Sequence, residues 1–390
     1  MTGFIFNTTA QIICRPGAAA DLATTISGKI GDKILFVTDK GIRNLGLERE
    51  AVTSLENAGL TVTMFDAVEA DPSLNTVLTA TRAAQDCNAT AVVALGGGSS
   101  LDVAKLVALL AGSGEDIDGA WGVGNAKGPR LPLVLIPTTA GTGSEVTPVS
   151  IITVGENEKR GVSSPVILPD VAVLDANLTL SLPGPVTAAT GIDAMVHAIE
   201  AYTSVNANNN PMSRMLAVQA LELLGANIET AVTNPANTKA RSKMLLGSCL
   251  AGMAFANSPV AAVHALAYPI GGTFHIPHGL SNALILSQVL RFNAAEVENG
   301  SYRHYAALAP HLFPDIGTDC GAQEICTAFI DRLSALSARL GLPQRLRDVG
   351  IGEEALPGMA RDAMIQTRLL VNNPRVLAEK DALAIYQEAW

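Results

Sequence analysis

Short apolar runs separated by helically spaced stretches set the texture of the first half of the chain. Residues 33–38 (KILFVT), 89–95 (ATAVVAL) and 131–137 (LPLVLIP) are largely apolar, while 60–65 (LTVTMF) alternates. Turn formers bound them: Asp39-Lys40-Gly41 after the first, Gly59 before the alternating segment, Gly96-Gly97-Gly98-Ser99-Ser100 after 89–95. Residues 47–58, 74–86 and 101–111 space their apolar positions as helices do. Strands alternating with helices of this length predict βαβ units and a mostly parallel sheet. Continuous rather than alternating strands predict helices on both faces.

The texture changes at Leu182-Pro183-Gly184-Pro185. Residues 187–203, 211–230, 238–256, 260–269 and 281–295 suit helices, as do 320–340, 353–366 and 379–388, and no strand is expected among them. The 390 residues exceed the size at which single cores stop growing, so two domains are the expectation. The reading is a Rossmann-like α/β dinucleotide-binding domain over residues 1–182, with a mostly parallel sheet. An all-α metal-binding and substrate domain follows over 183–390.

Composition narrows the class. Hydrophobic residues make up 48% and aromatics only 4%, so the cores are built from Ala, Val, Leu and Ile. A net charge of −10 argues against nucleic acid or anionic lipid as partner. The five cysteines form no CxxC pair, which suggests neither a disulfide framework nor a cysteine zinc site. Residues 1–20 lack a basic-then-apolar signal, and no uninterrupted apolar run reaches the ~20 residues of a bilayer crossing. A cytoplasmic protein without membrane partners is expected. Residues 4–13 (FIFNTTAQII) read as an edge hairpin that pairs between subunits, hence a homodimer.

Candidate chemistry sits at the strand ends. Glycines let backbone approach a phosphate, and the free N–H groups of a following helix favour its charge. Gly97, Gly98 and Ser99 stand at such a junction, with Ser99 or Ser100 available as cap or donor. The GxGxxG fingerprint is absent. A second polar glycine loop, residues 138–145, follows another strand, and two such loops point to an extended phosphate-bearing ligand. Asp39, also at a strand end, suits either a turn or the ribose hydroxyls of an adenosine, where it repels a 2′-phosphate. In the second half, Asp193 and His197 stand four residues apart in a helical stretch and share one face. By itself that pair also suits a capped helix with a histidine. His264, His275 and His278 crowd into residues 263–282, and one carboxylate with three imidazoles makes a four-ligand metal site. His304 and His311 read as ordinary histidines, and His275 is undecided.

Taken together, these residues resemble the iron-containing (group III) alcohol dehydrogenases, of dehydroquinate-synthase-like fold. The motifs are Val37-Thr38-Asp39-Lys40-Gly41, Gly96-Gly97-Gly98-Ser99 with Asp102 and Lys105, and Pro137 through Glu145. Gly191 through Glu200, Ala251-Gly252-Met253-Ala254-Phe255, and His264 through Pro277-His278-Gly279 complete the set. The resemblance implies Asp193, His197, His264 and His278 as ligands of Fe(II), with Zn(II) or another divalent metal as the alternative. It implies NAD as cofactor, held by Asp39 at the ribose, Gly97, Gly98 and Ser99 at the pyrophosphate, and Thr138, Thr139 and Thr142 in the second loop. Asp102 and Lys159 match further cofactor contacts. Many members carry a histidine four residues after the third ligand; here that position is Tyr268. Tyr268 or His275 is then the candidate proton relay.

The implied activity is reversible hydride transfer between NAD and a small, primary alcohol or its aldehyde, with the alcohol oxygen on the metal. A sugar-phosphate lyase of the dehydroquinate-synthase type should carry more Lys and Arg near the ligands. A metal-free reductase of the maleylacetate type conflicts with the intact ligand set. A nucleotide- or metal-binding protein without turnover is the alternative from another class. Phe255, Asn257, Tyr268 and Phe274 suit either a substrate pocket or a core.

Overall fold

The apolar runs at 33–38, 89–95 and 131–137 form neighbouring strands in the middle of one sheet. The computed structural model describes residues 3–155, 158–296, 298, 300–317 and 319–390. Two compact units divide the chain, Asn7–Ser181 and Leu182–Trp390, with the first residues through Phe6 grouped with the second. The first unit runs β1 (Gln11–Cys14), α1 (Leu22–Thr25), β2 (Lys33–Asp39), α2 (Lys40–Leu45), α3 (Arg49–Asn57), β3 (Thr61–Val68) and α4 (Leu74–Asp86). It continues with β4 (Ala91–Gly96), α5 (Gly98–Ser113), α6 (Ile117–Ala120), β5 (Gly122–Val123), β6 (Leu133–Pro137), β7 (Val149–Val154), β8 (Glu158–Ser163) and β9 (Val171–Leu174).

The main sheet has the order β1-β9-β6-β4-β2-β3, and each of its pairings is parallel. Alternate strand residues feed two cores. Leu35, Val37, Val92, Ala94, Leu133 and Leu135 pack with apolar residues of α4 and α5. Ile34, Phe36, Val93, Leu95, Val134 and Ile136 pack on the other face with Leu22, Ala51 and Leu55 of α1 and α3. A strand buried on both sides must be apolar at every position, which is why these runs are continuous. Parallel registry places the carboxyl ends of β2, β4 and β6 side by side, at Asp39, Gly96 and Pro137.

Two features depart from the sequence reading. Residues 4–13 form no hairpin: Gln11–Cys14 is an edge strand paired in parallel with Val171–Leu174 of its own chain. Ile5 instead exchanges two hydrogen bonds with the Asn208 side chain, both 2.8 Å. A second, three-stranded sheet, β5-β8-β7, contains the antiparallel pair Val149–Val154 and Glu158–Ser163. Its strand EKRGVS is too polar to stand out as an apolar run.

The second unit is helical: α7 (Gly184–Thr203), α8 (Pro211–Thr233), α9 (Thr238–Asn257), α10 (Ala262–Phe274), α11 (His278–Ala295), α12 (Ser301–Leu312), α13 (Ala322–Arg339), α14 (Leu356–Ala363), α15 (Thr367–Leu370) and α16 (Glu379–Ala389). The sequence reading missed α12, whose apolar spacing is interrupted by Arg303, His304 and Pro310. It also stopped α10 at Pro269, whereas the helix continues to Phe274. A buried Tyr386 hydroxyl donates to the Leu266 carbonyl of this helix at 2.6 Å. Helix α8 has the length and apolarity of a membrane crossing, yet it carries Arg214, Glu222 and Glu229 and packs against α7 and α9.

Candidate active site

Four potential ligands converge in the helical unit. Asp193 and His197 project from one face of α7; His264 lies in the first turn of α10; His278 is the first residue of α11. One ligand atom from each lies within 4.8 Å of all the others. Asp193, His197 and His264 are buried, whereas the His278 side chain is 43% exposed. His197 stacks between Phe255, at 4.3 Å, and His264, at 4.7 Å. Gly279 permits this closure. A Cβ there would meet the Ala189 carbonyl oxygen at 2.5 Å, so only glycine lets the start of α11 seat against α7.

Two supporting residues escaped the sequence reading. Glu200 continues the Asp193/His197 face, seven residues after the acid, and that spacing was the available signal. Its carboxylate accepts from the Ala261 and Val263 amides, at 3.0 and 2.7 Å, and lies 2.6 Å from His264 Nδ1. The Nδ1–H therefore donates to Glu200 and Nε2 keeps its lone pair for the cluster, the usual support of a metal-binding imidazole. Asn282, one turn after His278, places Nδ2 2.6 Å from Asp193 Oδ1 and 3.3 Å from both His264 Nε2 and His278 Nε2. Its Oδ1 is buried without a hydrogen-bond partner among the described residues. Burial opposes ionisation of Asp193, but His197, His278, His264 and the Asn282 amide outweigh it and hold the carboxyl below its ordinary range. A carboxylate and three imidazoles turned toward one point, with the Asn282 amide set among them, fit a divalent cation.

Around this cluster, Tyr268 stands one turn after His264 and its ring lies 6.4 Å from that of His278. Arg368 Nη2 donates to the Tyr268 hydroxyl at 2.9 Å, a contact across a hundred residues that nothing in the local sequence announces. His275 is exposed and ends α10 in the left-handed conformation (φ 56°), its N–H bonded to the Gly271 carbonyl. Phe255 lies on the cluster through His197; Asn257 is buried and bonded to the Met253 carbonyl; Phe274 is half-buried at the end of α10. His304 meets Tyr202 edge-on and His311 pairs with Glu222, both away from the ligands.

In the α/β unit the two glycine loops abut. Thr138 N–H donates to the Gly96 carbonyl at 2.9 Å. A Cβ on Gly97 would come within 3.8 Å of Thr139, and one on Gly98 within 2.8 Å of Thr142. Gly97, not a serine, is the N-cap of α5, and no side chain caps this 16-residue helix. Ser99 and Ser100 lie inside its first turn, so its first amides stay unclaimed by a cap. Asp39 is the N-cap of α2: Oδ1 accepts from the Ile42 amide at 2.9 Å, and Oδ2 lies 3.5 Å from Ser100 Oγ. It lines a recess of about 470 Å³ with Lys40, Val68, Glu69, Gly97 and Ser99.

Asp102 and Lys159 are engaged inside the protein. Asp102 accepts from Ser144 Oγ at 2.6 Å and from the Ile151 amide at 2.9 Å, tying α5 to the second loop and β7. Lys159 pairs with Asp71 at 2.6 Å and with Thr153 at 2.9 Å. Beneath the loop, buried Lys105 donates to Ser144, Thr147 and the Val149 carbonyl, and burial pushes its pKa down. Glu145 is buried with Oε1 unpartnered, and burial raises its pKa to about 7 against the nearby Lys105.

Similarity to known proteins extends over nearly the whole chain. The model of "Iron-containing alcohol dehydrogenase" matches residues 9–176, and that of "Fe-containing alcohol dehydrogenase family, C-terminal" matches residues 187–390. Long-chain-alcohol dehydrogenase 1 of Geobacillus thermodenitrificans is 40% identical over 379 residues, covering 96% of this chain and 93% of the relative. A crystal structure of 1,3-propanediol oxidoreductase superposes with a TM-score of 0.94 at 33% identity, covering 100% of both chains. A sulfoacetaldehyde reductase from Bifidobacterium kashiwanohense, solved in complex with NAD+, superposes with a TM-score of 0.85 at 28% identity, covering 100% of this chain and 99% of that one. With both halves matched and a relative at this identity over nearly its whole length, the chain belongs to the iron-containing alcohol dehydrogenase family, as an oxidoreductase in the dehydroquinate-synthase-like fold.

Proposed function

We propose that the protein is an NAD-dependent dehydrogenase of small alcohols, running reversibly with their aldehydes, whose metal is Fe(II) held by Asp193, His197, His264 and His278. One observation carries this reading: the four ligand atoms converge within 4.8 Å and Glu200 fixes the His264 tautomer. A divalent metal there supplies Lewis acidity toward an alcohol oxygen, several kcal/mol of transition-state stabilisation. Glu200 and Asn282 orient ligands, and the buried walls of His197 and Phe255 exclude water. The α/β unit, residues 7–181, serves as the dinucleotide domain. Asp39 accepts from the ribose hydroxyls, and the amides at Gly97, Gly98 and Ser99 receive the pyrophosphate at a helix N-terminus. Thr138, Thr139 and Thr142 line the second loop. Asp102 and Lys159 brace the loops, given the partners they already hold, rather than serving as free cofactor ligands. Tyr268 is the better-supported proton relay, because its ring neighbours His278; exposed His275 has a structural task as helix cap.

A homodimer in the cytoplasm completes the proposal. The open edge of β1 and exposed Ile5 offer association surface, and cysteines that form no disulfide with one another suit a reducing compartment. The test is alcohol-dependent NADH formation by protein loaded anaerobically with Fe(II), run in both directions over a panel of primary alcohols and aldehydes. Tight NAD and metal binding without turnover over the panel would overturn the enzymatic reading.

A further inference from the structure

Resting on the proposed function, we infer that Arg368 selects substrates that carry a carboxylate at the end remote from the reacting carbon. His278 is the only exposed ligand of the cluster, so within the helical unit the approach runs over its ring. Tyr268 flanks that ring at 6.4 Å, and Arg368 sits on Tyr268, its Nη2 2.9 Å from the hydroxyl and its Cζ 5.9 Å from the ring centroid. Three other exposed arginines of this unit pair with carboxylates, Arg291 with Asp331, Arg332 with Asp315 and Arg339 with Glu229. Arg214, Arg303 and Arg347 lie on the rings of Tyr202, Tyr302 and Trp390. What singles out Arg368 is its seat on Tyr268 beside His278. Among the described residues Arg368 pairs with no carboxylate, and its Nε and Nη1 have no partner. In a chain of net charge −10 a cation left unneutralised beside an opening is a recognition element.

Its mounting is stiff. Leu369 is buried, and the Asn372 side chain, itself buried, donates to the carbonyls of Arg368 and Val260, both at 3.0 Å. Tyr268 then holds the guanidinium plane through hydrogen bond and ring contact. A planar fork held in place with free N–H groups matches a carboxylate bidentately, which a lysine does not. The substrate class is therefore a short-chain ω-oxo or ω-hydroxy acid, with its reacting oxygen at the cluster and its carboxylate on Arg368.

The experiment compares 4-oxobutanoate with butanal, of equal carbon count, as substrates of the Fe(II)-loaded enzyme with NADH. Wild type should favour the acid by tenfold or more in kcat/KM. Arg368→Gln should lower that ratio at least tenfold, and Arg368→Lys should fall between. A wild-type ratio at or below one, or a ratio unchanged in Arg368→Gln, overturns the inference while the dehydrogenase reading stands. If neither aldehyde consumes NADH, the reading of the function is what fails for these substrates. Calorimetry of succinate binding to the metal-loaded protein then decides Arg368 without turnover: binding lost in Arg368→Gln supports the assignment, and equal binding in both proteins overturns it.

Discussion

At the four-residue cluster the converging atoms all belong to side chains, whereas the proposed cofactor loops at the strand ends of the α/β unit offer largely backbone atoms. The buried carboxylates of the two regions sharpen the contrast. Asp193 loses water but gains three imidazoles and an amide, and its carboxyl stays below the ordinary range. Glu145 loses water and gains only its own backbone amide and a neighbouring Lys105 whose N–H groups point at Ser144, Thr147 and Val149, so its pKa rises to about 7. Burial alone therefore does not make a carboxylate a ligand; convergent donors do. The side-chain site should fail through lost chemistry, and the backbone site through lost space.

The largest effect should come from the cluster. His278→Ala should lose metal on dialysis and drop alcohol-dependent NADH formation by about 10³-fold, the several kcal/mol assigned to a Lewis acid. Full metal content with full turnover would dissolve the side-chain half of the contrast.

Next comes Glu145, through linkage. Its folded-state pKa, about 7, exceeds the unfolded value near 4.5, so its stabilising contribution is complete below pH 4.5 and is lost as pH rises to 7. That window corresponds to about 3 kcal/mol. Glu145→Gln should gain about that much unfolding free energy over wild type at pH 8 compared with pH 4.5. Denaturant titrations at the two pH values measure it, and a pH-independent difference would remove Glu145 from the contrast.

Glu200→Gln tests how far side-chain identity reaches behind the ligands. Metal affinity should fall roughly 10–100-fold, the usual cost of removing an outer-shell carboxylate. Chelator competition reads it directly, and unchanged affinity would mean that His264 needs no orienting partner.

The backbone site is probed by adding one carbon. Gly98→Ala places a Cβ 2.8 Å from Thr142, while Gly97→Ala meets Thr139 no nearer than 3.8 Å. Overpacking of about 1–2 kcal/mol should raise the KM for NAD roughly tenfold in Gly98→Ala and leave Gly97→Ala the milder variant. Equal effects would mean that space at the loop is not what matters. The smallest effect belongs to Asp39→Gly, which should relax discrimination against NADP by a few fold, about 1 kcal/mol, since it removes one charge facing the 2′ position. A wild-type preference for NADP would overturn the role given to Asp39.

Legibility along the chain follows the same division. The central strands were readable because burial on both faces forces apolar residues at every position. The antiparallel pair Val149–Val154 and Glu158–Ser163 was not, since its pairing depends on register rather than on composition. The ligand motif at Asp193 and His197 is local, set by helical periodicity. Glu200 was within reach of that periodicity and was passed over, because its partner His264 lies 64 residues away.

The amino-acid sequence by itself determined the alternation of strand and helix in the first half, the helical second half, and the residue types able to bind a metal and a nucleotide. These follow from periodicity, glycine chemistry and donor inventory, which are local properties. Only the tertiary structure decided which of those residues meet. It joined His264 to Glu200, set Asn282 among three ligands, gave Asp102 and Lys159 internal partners, and brought Arg368 onto Tyr268 from a segment with no motif of its own. Contacts between distant segments depend on how whole elements pack, and no window of sequence short enough to show periodicity contains them.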